Sequence, residues 1–483
     1  MRKLISLTFL CFVVVAQLTS QTFRYEVHDA DHIPPHVYKE RRERLMDSVG
    51  ARSIVAVMSA DVRNRQNDVD YEYRQSSNML YLTGYPDPGA TLLLAPSGIV
   101  LGERTVREIL FVKERNVDRE RWTGVTAGPA EAMSVYGIDT ALANTELTGI
   151  LKRLFSDERG EQNTDSTNDT LIIPDWPTKS IGMALLGRNL YVDSEVRKGL
   201  RDQFDGITIV AQLPTIAAMR EVKDTAELRL MRKAIDISVD GHRYAIRNAK
   251  PGMKEYQIEA LVEFGFKNGG AEDVGYPSIV GARYNACILH YTSNRMPSST
   301  GDLILSDCGA EYHGYTADVT RTFPINGRFT DDQRTIYNIV LEAQDSGIAA
   351  CKAGAPFSAP HEAAKAVIAR RLFELGIIES ADSVKRYFMH GTSHYLGLDV
   401  HDAGTRGPLR PNTVVTVEPG IYIAEGAPCD KRWWNIGIRI EDDILITSDR
   451  PVNLSGALER TAEAIEKLMT PGEYDAGSDA GRR

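Results

Sequence analysis

The stretch DCGAEYHGYTADVTRTFP, residues 307–324, sets two aspartates eleven positions apart, Asp307 and Asp318, with glycines and aromatics between them. A hairpin turning at Tyr312–His313 would make them cross-strand neighbours with Cβ atoms about 5 Å apart. Two bare carboxylates that close repel, so such a pair calls for a shared proton or a cation. On this pair alone, a surface hairpin with polar ends explains the residues as well.

A second acidic set lies downstream. TVVTVEPGIYI places Glu418 at the end of an apolar run, just before Pro419 interrupts normal pairing. NIGIRIEDDILIT alternates as one strand, with Ile436, Ile438 and Ile440 on one face and Gly437, Arg439 and Glu441 on the other. A glutamate in so apolar a run needs a cationic partner. Arg439, two residues away on the same face, is placed to orient a carboxylate without itself ligating a metal.

Histidine adds nitrogen. Three of the 10 histidines, His390, His394 and His401, fall within MHGTSHYLGLDVHDAG. The His390/His394 spacing resembles a zinc-protease helix, but that helix carries Glu after the first His, where this chain has Gly391. Gly391, Thr392 and Ser393 are also poor helix formers. Three histidines beside four acids point to a cluster that holds a cation.

The elements that must carry these groups fall into two textures. Residues 50–115 hold the strand-like runs SIVAVMSA, TLLLAPSG and EILFVKE, and LIIPD, RNLYVD and ITIVAQ follow a breaker-rich stretch at 156–169. This half reads as a mixed α/β domain. From residue 221 an amphipathic helix is predicted through 249, capped by Asp224 or Thr225 with Glu227 nearby. Further helices are predicted over 255–270, 330–354 and 358–376, with strands at 303–307, 413–418, 421–425 and 436–447. Blocks of antiparallel strand signals and helices make an α+β pattern. The tail 471–483 is Gly/Asp-rich and reads as disordered.

The composition, 483 residues with 42% hydrophobic and 25% charged, is that of a folded protein of two or three domains. The net charge is −10 and no Lys/Arg-rich run occurs, which excludes nucleic acid as a partner. Residues 1–20, MRKLISLTFLCFVVVAQLTS, have a short positive start, an apolar run too short to span a bilayer, and small residues for cleavage. They read as a signal peptide, so the chain is expected to be periplasmic or secreted, with no stable membrane anchor after cleavage. Cys287, Cys308, Cys351 and Cys429 show no CxxC pair or metal-ligand spacing and read as small buried thiols.

Asp307, Asp318, His394, Glu418 and Glu441 resemble, in order and context, the five metal ligands of the pita-bread metallopeptidases, in the aminopeptidase P and prolidase branch. The motifs HYTSN (290–294), DCGAEYHGYTADVTRTFP, HGTSHYLGLDVHDAG, VEPGIYI and GIRIEDD carry the match, which spans roughly residues 216–470. DYEYRQSSNMLYLTGY (70–85) and RWTG (121–124) resemble that branch's amino-terminal domain.

The resemblance implies a two-domain architecture: signal peptide 1–20, amino-terminal domain 21–215, pita-bread catalytic domain 216–470 and tail 471–483. It implies two divalent ions, with Asp318 and Glu441 shared, Asp307 on one ion, and His394 and Glu418 on the other. Four carboxylates and one imidazole favour Mn²⁺, with Co²⁺ or Zn²⁺ as alternatives. Four negative charges would balance the two ions around a bridging hydroxide. Glu418 would move the proton, and His290 and His401 would hydrogen-bond substrate and oxyanion. His390 would line the pocket, with Tyr422 and Arg439 behind the ligands. Trp122 and the RQSSN segment are candidate pocket walls, with a neighbouring subunit as a candidate source. Relatives commonly have Ala at Cys308, so its thiol marks a site of expected oxidation sensitivity, and some bacterial relatives have an acid near the position of Asn78, which puts a substrate-amine contact there in question.

The implied activity is removal of an amino-terminal residue preceding proline from peptides, by a homo-oligomer. The alternatives are an Xaa-Pro dipeptidase (prolidase) and a non-catalytic peptide-binding protein of the same fold.

Overall fold

The computed structural model describes residues 24–51, 53–155, 170–172, 208–210 and 214–470. The leader 1–20, the strand expected at 188–193, the breaker-rich stretch 156–169 and the tail lie outside the described residues.

Alternating apolar residues build the first sheet. Strand Ser53–Met58 sends Val55 and Val57 to one face and Ile54, Ala56 and Met58 to the other, and both faces are covered. The six strands lie in the order Ala141–Ala143, Arg104–Val112, Thr91–Leu101, Ser53–Met58, Thr170–Ile172 and Thr208–Val210. The three central strands pair antiparallel and the outer pairings are parallel, giving the mixed α/β domain expected.

Helix Thr225–Asn248 begins as the sequence predicts. Asp224 Oδ1 accepts the amides of Ala226 and Glu227, each at 2.9 Å, and Glu227 Oε2 accepts the Asp224 amide at 3.0 Å. Its apolar face, with Leu230, Met231, Ala234 and Ile235, continues the core of the first sheet into Tyr315, Ala317 and Val319. Each such fully buried aliphatic contributes about 1.5–3 kcal/mol relative to exposure. Helices Glu255–Asn268, Asp331–Ala350 and Ala359–Glu374 surround the second core with the strands of the pita-bread half. Among the described residues no helix is long and apolar enough to cross a membrane.

The RQSSN segment joins the halves. Arg74 pairs with Glu311 at 2.6 Å and donates to the Leu398 carbonyl, and Ser77 Oγ donates to Asp399 at 2.7 Å. Among the described residues the four cysteines are free; Cys308 and Cys351 are buried, while Cys287 and Cys429 are partly exposed.

Candidate metal centre

Strand Leu303–Asp307 pairs antiparallel with Thr320–Pro324, and the same ladder continues through Glu311–Thr316 and Tyr312–Tyr315. The turn is therefore His313–Gly314, with φ of 49° and 79°. A two-residue turn with positive φ at both positions matches the twist of the strands, and glycine enters it without strain. The turn expected at Tyr312–His313 is thus one residue early. The correction places Thr320, not Asp318, opposite Asp307. Asp318 lies on the diagonal, across from Gly309, where a Cβ would stand 1.8 Å from the Ala317 oxygen.

The two carboxylates still meet. The Tyr276 hydroxyl lies 2.6 Å from Asp307 Oδ1 and 2.6 Å from Asp318 Oδ1. A phenol has one proton, so it can donate to only one of them at a time.

The second acidic pair comes from a ladder that breaks at its acids. Val414–Val417 pairs with Asp442–Leu445, and Gly420–Ile423 pairs with Ile436–Arg439, in one register. That register carries through the interruption and sets Glu418 opposite Glu441. The single strand expected over 436–447 is split at Ile440–Glu441, because the Glu441 amide donates to the Thr320 carbonyl at 3.1 Å. This bond draws the ladder onto the hairpin. The Thr320 hydroxyl then donates to Glu441 Oε2 at 2.6 Å.

Arg439, buried, donates through Nη2 to Asp307 Oδ2, through Nη1 to the Tyr422 hydroxyl at 2.9 Å, and through Nε to Thr320 Oγ1 at 3.2 Å. It orients a carboxylate as expected; the one it touches is Asp307, and Glu441 is reached through Thr320. His394 Nδ1 lies 3.0 Å from the Tyr395 carbonyl, an acceptor only, so Nδ1 carries the proton. Nε2 is thereby turned toward Asp318 Oδ2 at 3.4 Å and Glu418 Oε1 at 3.6 Å. Asp318, His394 and Glu441 offer ligand atoms that all lie within 4.8 Å of one another.

Electrostatics fit a cation here. Burial, then the charge of Asp307, pushes the Asp318 carboxyl well above its ordinary range; burial, then Asp318 and Asp307, does the same to Glu441. Glu418 is pushed up to about 8 by burial and then by Glu441. A lone pair on nitrogen aimed at crowded carboxylates is a donor set that divalent ions satisfy.

Above the acids opens a cavity of about 420 Å³, lined by His290, His390, His394, His401 and Glu418 together with Phe357 and Tyr395. His390 Nε2 accepts from the Tyr422 hydroxyl at 2.8 Å, and burial, then Arg439, pushes its pKa down to about 4. His401 stands edge-on to His394 with ring centroids 4.4 Å apart, and burial, then His394, lowers its pKa.

Within one chain, Trp122 is 90% exposed and neither it nor the RQSSN segment lines this cavity, so a wall from either would come from a neighbouring subunit. Asn78 accepts from Arg220 at 2.9 Å, within the network that also holds Asp399 and Asp402. The Cys308 thiol is fully buried and pushed up by that burial, which suppresses the reactive thiolate and removes the expected oxidation sensitivity. Sequence reasoning also missed Tyr276, Thr320 and Asp443, whose Oδ2 accepts the Asp318 amide at 3.2 Å. Their roles arise from contacts distant in the chain, and no local pattern marks them.

Comparison with known proteins agrees with this geometry. Metallopeptidase family M24 matches residues 229–448, and the aminopeptidase P N-terminal domain matches residues 38–162. The Xaa-Pro aminopeptidase of Escherichia coli K12 is 34% identical over 445 residues, covering 89% of this chain and 97% of the relative. Human Xaa-Pro aminopeptidase 3 is 30% identical, with 90% and 85% covered. The solved structure of Pseudomonas aeruginosa aminopeptidase PepP superposes with a TM-score of 0.80 at 34% identity, over 91% of this chain and 98% of that one. Sharing both domains, the fold and about a third of its residues with these relatives, this chain belongs to metallopeptidase family M24, in its aminopeptidase P branch.

Proposed function

We propose that this enzyme is an exported Xaa-Pro aminopeptidase working with two divalent ions. Asp307, Asp318, His394, Glu418 and Glu441 would hold the ions, with Asp318 and Glu441 shared. The observation that carries this reading is the convergence of five side chains from two separate ladders and one loop: Asp307, His394 and Glu418 line a single cavity, and Asp318 and Glu441 lie beside them with ligand atoms within 4.8 Å of those of His394. An oxygen-rich set with one imidazole favours Mn²⁺. When bound, such a pair of ions supplies a nucleophile at neutral pH and neutralises the developing oxyanion.

The chain's own residues do the rest. Glu418 faces the cavity and, among the described residues, receives no hydrogen bond on its carboxylate. It is free to accept a proton on Oε1 or Oε2 and deliver it to the leaving proline nitrogen. That nitrogen belongs to a tertiary amide without an N–H, so a peptidase cannot grip it by the usual donor. His290 and His401, on the cavity wall, are placed to hydrogen-bond the substrate and its oxyanion. The Arg439–Tyr422–His390 chain fixes the His390 tautomer and keeps the imidazole neutral.

The metal-free enzyme, reloaded separately with Mn²⁺, Co²⁺ and Zn²⁺, tests the proposal on Xaa-Pro-Yaa tripeptides and Xaa-Pro dipeptides. Two ions per chain and preferential tripeptide cleavage, highest with Mn²⁺, are expected. A marked dipeptide preference in kcat/KM makes it a prolidase, and activity independent of any divalent metal ends the proposal. Export is tested by amino-terminal sequencing of protein expressed with residues 1–20, which should be absent from the mature chain.

A further inference from the structure

The tip of the Asp307–Asp318 hairpin carries a second cluster. The side chain of the turn residue His313 is only 9% exposed, with Nε2 3.1 Å from Asp31 Oδ1 and Nδ1 2.8 Å from Glu272 Oε1. The His32 ring lies against it, with centroids 4.3 Å apart. Asp29, His32 and His313 each offer a ligand atom, and these atoms lie within 4.8 Å of one another. The Tyr312 hydroxyl lies 3.1 and 3.0 Å from the two oxygens of Asp31 and donates to one of them at a time.

Charge around the cluster is unbalanced. Among the described residues, no lysine or arginine forms an ion pair with Asp29, Asp31 or Glu272. The nearby cations are engaged elsewhere: Arg229 donates to the Asp31 and His32 carbonyls, Lys267 to the Glu272 carbonyl, and Lys233 stands over the Tyr312 ring. A single proton on His313 leaves three carboxylates around two imidazoles still anionic.

We propose that Asp29, His32 and His313 form a second cation site, suited to a borderline divalent transition metal such as Zn²⁺, with Asp31 as the adjoining carboxylate. Two imidazoles with carboxylate oxygens are the donor mix zinc takes, unlike the four carboxylates and one imidazole of the catalytic centre. The ion replaces the proton on His313, because imidazole ligates only when neutral. Occupied, the site ties residues 29–32 to the tip of the hairpin whose strands lead to Asp307 and Asp318.

Elemental analysis of the full chain equilibrated with Zn²⁺ tests the assignment in wild type, His32→Ala and Asp29→Asn. His32→Ala is expected to hold one Zn²⁺ fewer than wild type, and Asp29→Asn to bind that ion at least about tenfold more weakly. The same loss on His32→Ala must persist in an Asp318→Asn background, where the catalytic centre is disabled. Both substitutions lie on an exposed segment, so folding is retained, and hydrolysis by the Mn²⁺-loaded His32→Ala enzyme should stay at the wild-type rate. Equal Zn²⁺ content and affinity in the three proteins would overturn the proposal.

Discussion

The two ladders that supply the acids hold them differently. On the hairpin, Asp307 is bonded through both oxygens, to Tyr276 and Arg439, and Asp318 is bonded to Tyr276 with its amide on Asp443. On the broken ladder, Glu441 is bonded to Thr320, while the Glu418 carboxylate has His394 and His390 as neighbours at 3.6 and 3.7 Å, beyond hydrogen-bond reach. A fixed shelf orients ligands before an ion arrives. On the proposed reading, the hairpin would hold the ions and Glu418, unbonded beside the cavity, would carry the proton.

The largest expected effects separate those roles. Asp318→Asn and Glu418→Gln should each lower kcat/KM by about 10³-fold or more, the loss of several kcal/mol of transition-state stabilisation. They should differ in metal content: Asp318→Asn, which alters a shared ligand, loses more bound metal than Glu418→Gln, whose amide oxygen can still ligate, and only Glu418→Gln flattens the pH profile of kcat. Equal metal loss in both would erase the distinction. Asp318→Asn should also raise the melting temperature of metal-free protein, since it removes a buried charge crowded by Asp307.

Smaller effects sharpen the contrast in support. Tyr276→Phe removes the one hydroxyl shared by Asp307 and Asp318, and metal affinity should fall about 10–100-fold by competition with a chelator. Thr320→Val, which cuts the link from Arg439 to Glu441, should cost about tenfold, at the low end of that range.

The smallest effect concerns acid. The His242 ring is fully buried against the Cys308 carbonyl at 2.9 Å, next to Asp307, and burial pushes its pKa from 6.5 down to about 4. The unfolded chain takes up a proton that the folded chain refuses, so this residue's contribution is present above pH 6.5 and is lost as pH falls toward 4. Urea unfolding should show the drop in wild type and a smaller one in His242→Gln, whose amide can still donate to Cys308.

Local chemistry made much of this legible. Asp224 and Glu227 announced the start of the long helix, and Pro419 announced the break that frees Glu418 from its strand. The hairpin register was misjudged because alternation along TADVTRTFP is compatible with neighbouring turns. What selects His313–Gly314 is the positive φ at both turn positions, a backbone property that side-chain patterning does not encode. The break at Ile440–Glu441 was invisible for a related reason, since the Glu441 amide leaves its own ladder for a carbonyl 121 residues away, on Thr320.

The order and types of residues alone determined that Asp307 and Glu418 end apolar runs and that Glu441 falls within one, where a carboxylate is too costly to bury without a partner. Only the tertiary structure decided which carboxylates share Tyr276, that Arg439 holds Asp307, and that Glu418 stays free. Those choices depend on the packing of one ladder against another. Hydrogen-bond geometry across such an interface is set by distances of a few tenths of an ångström, which no spacing along the chain specifies.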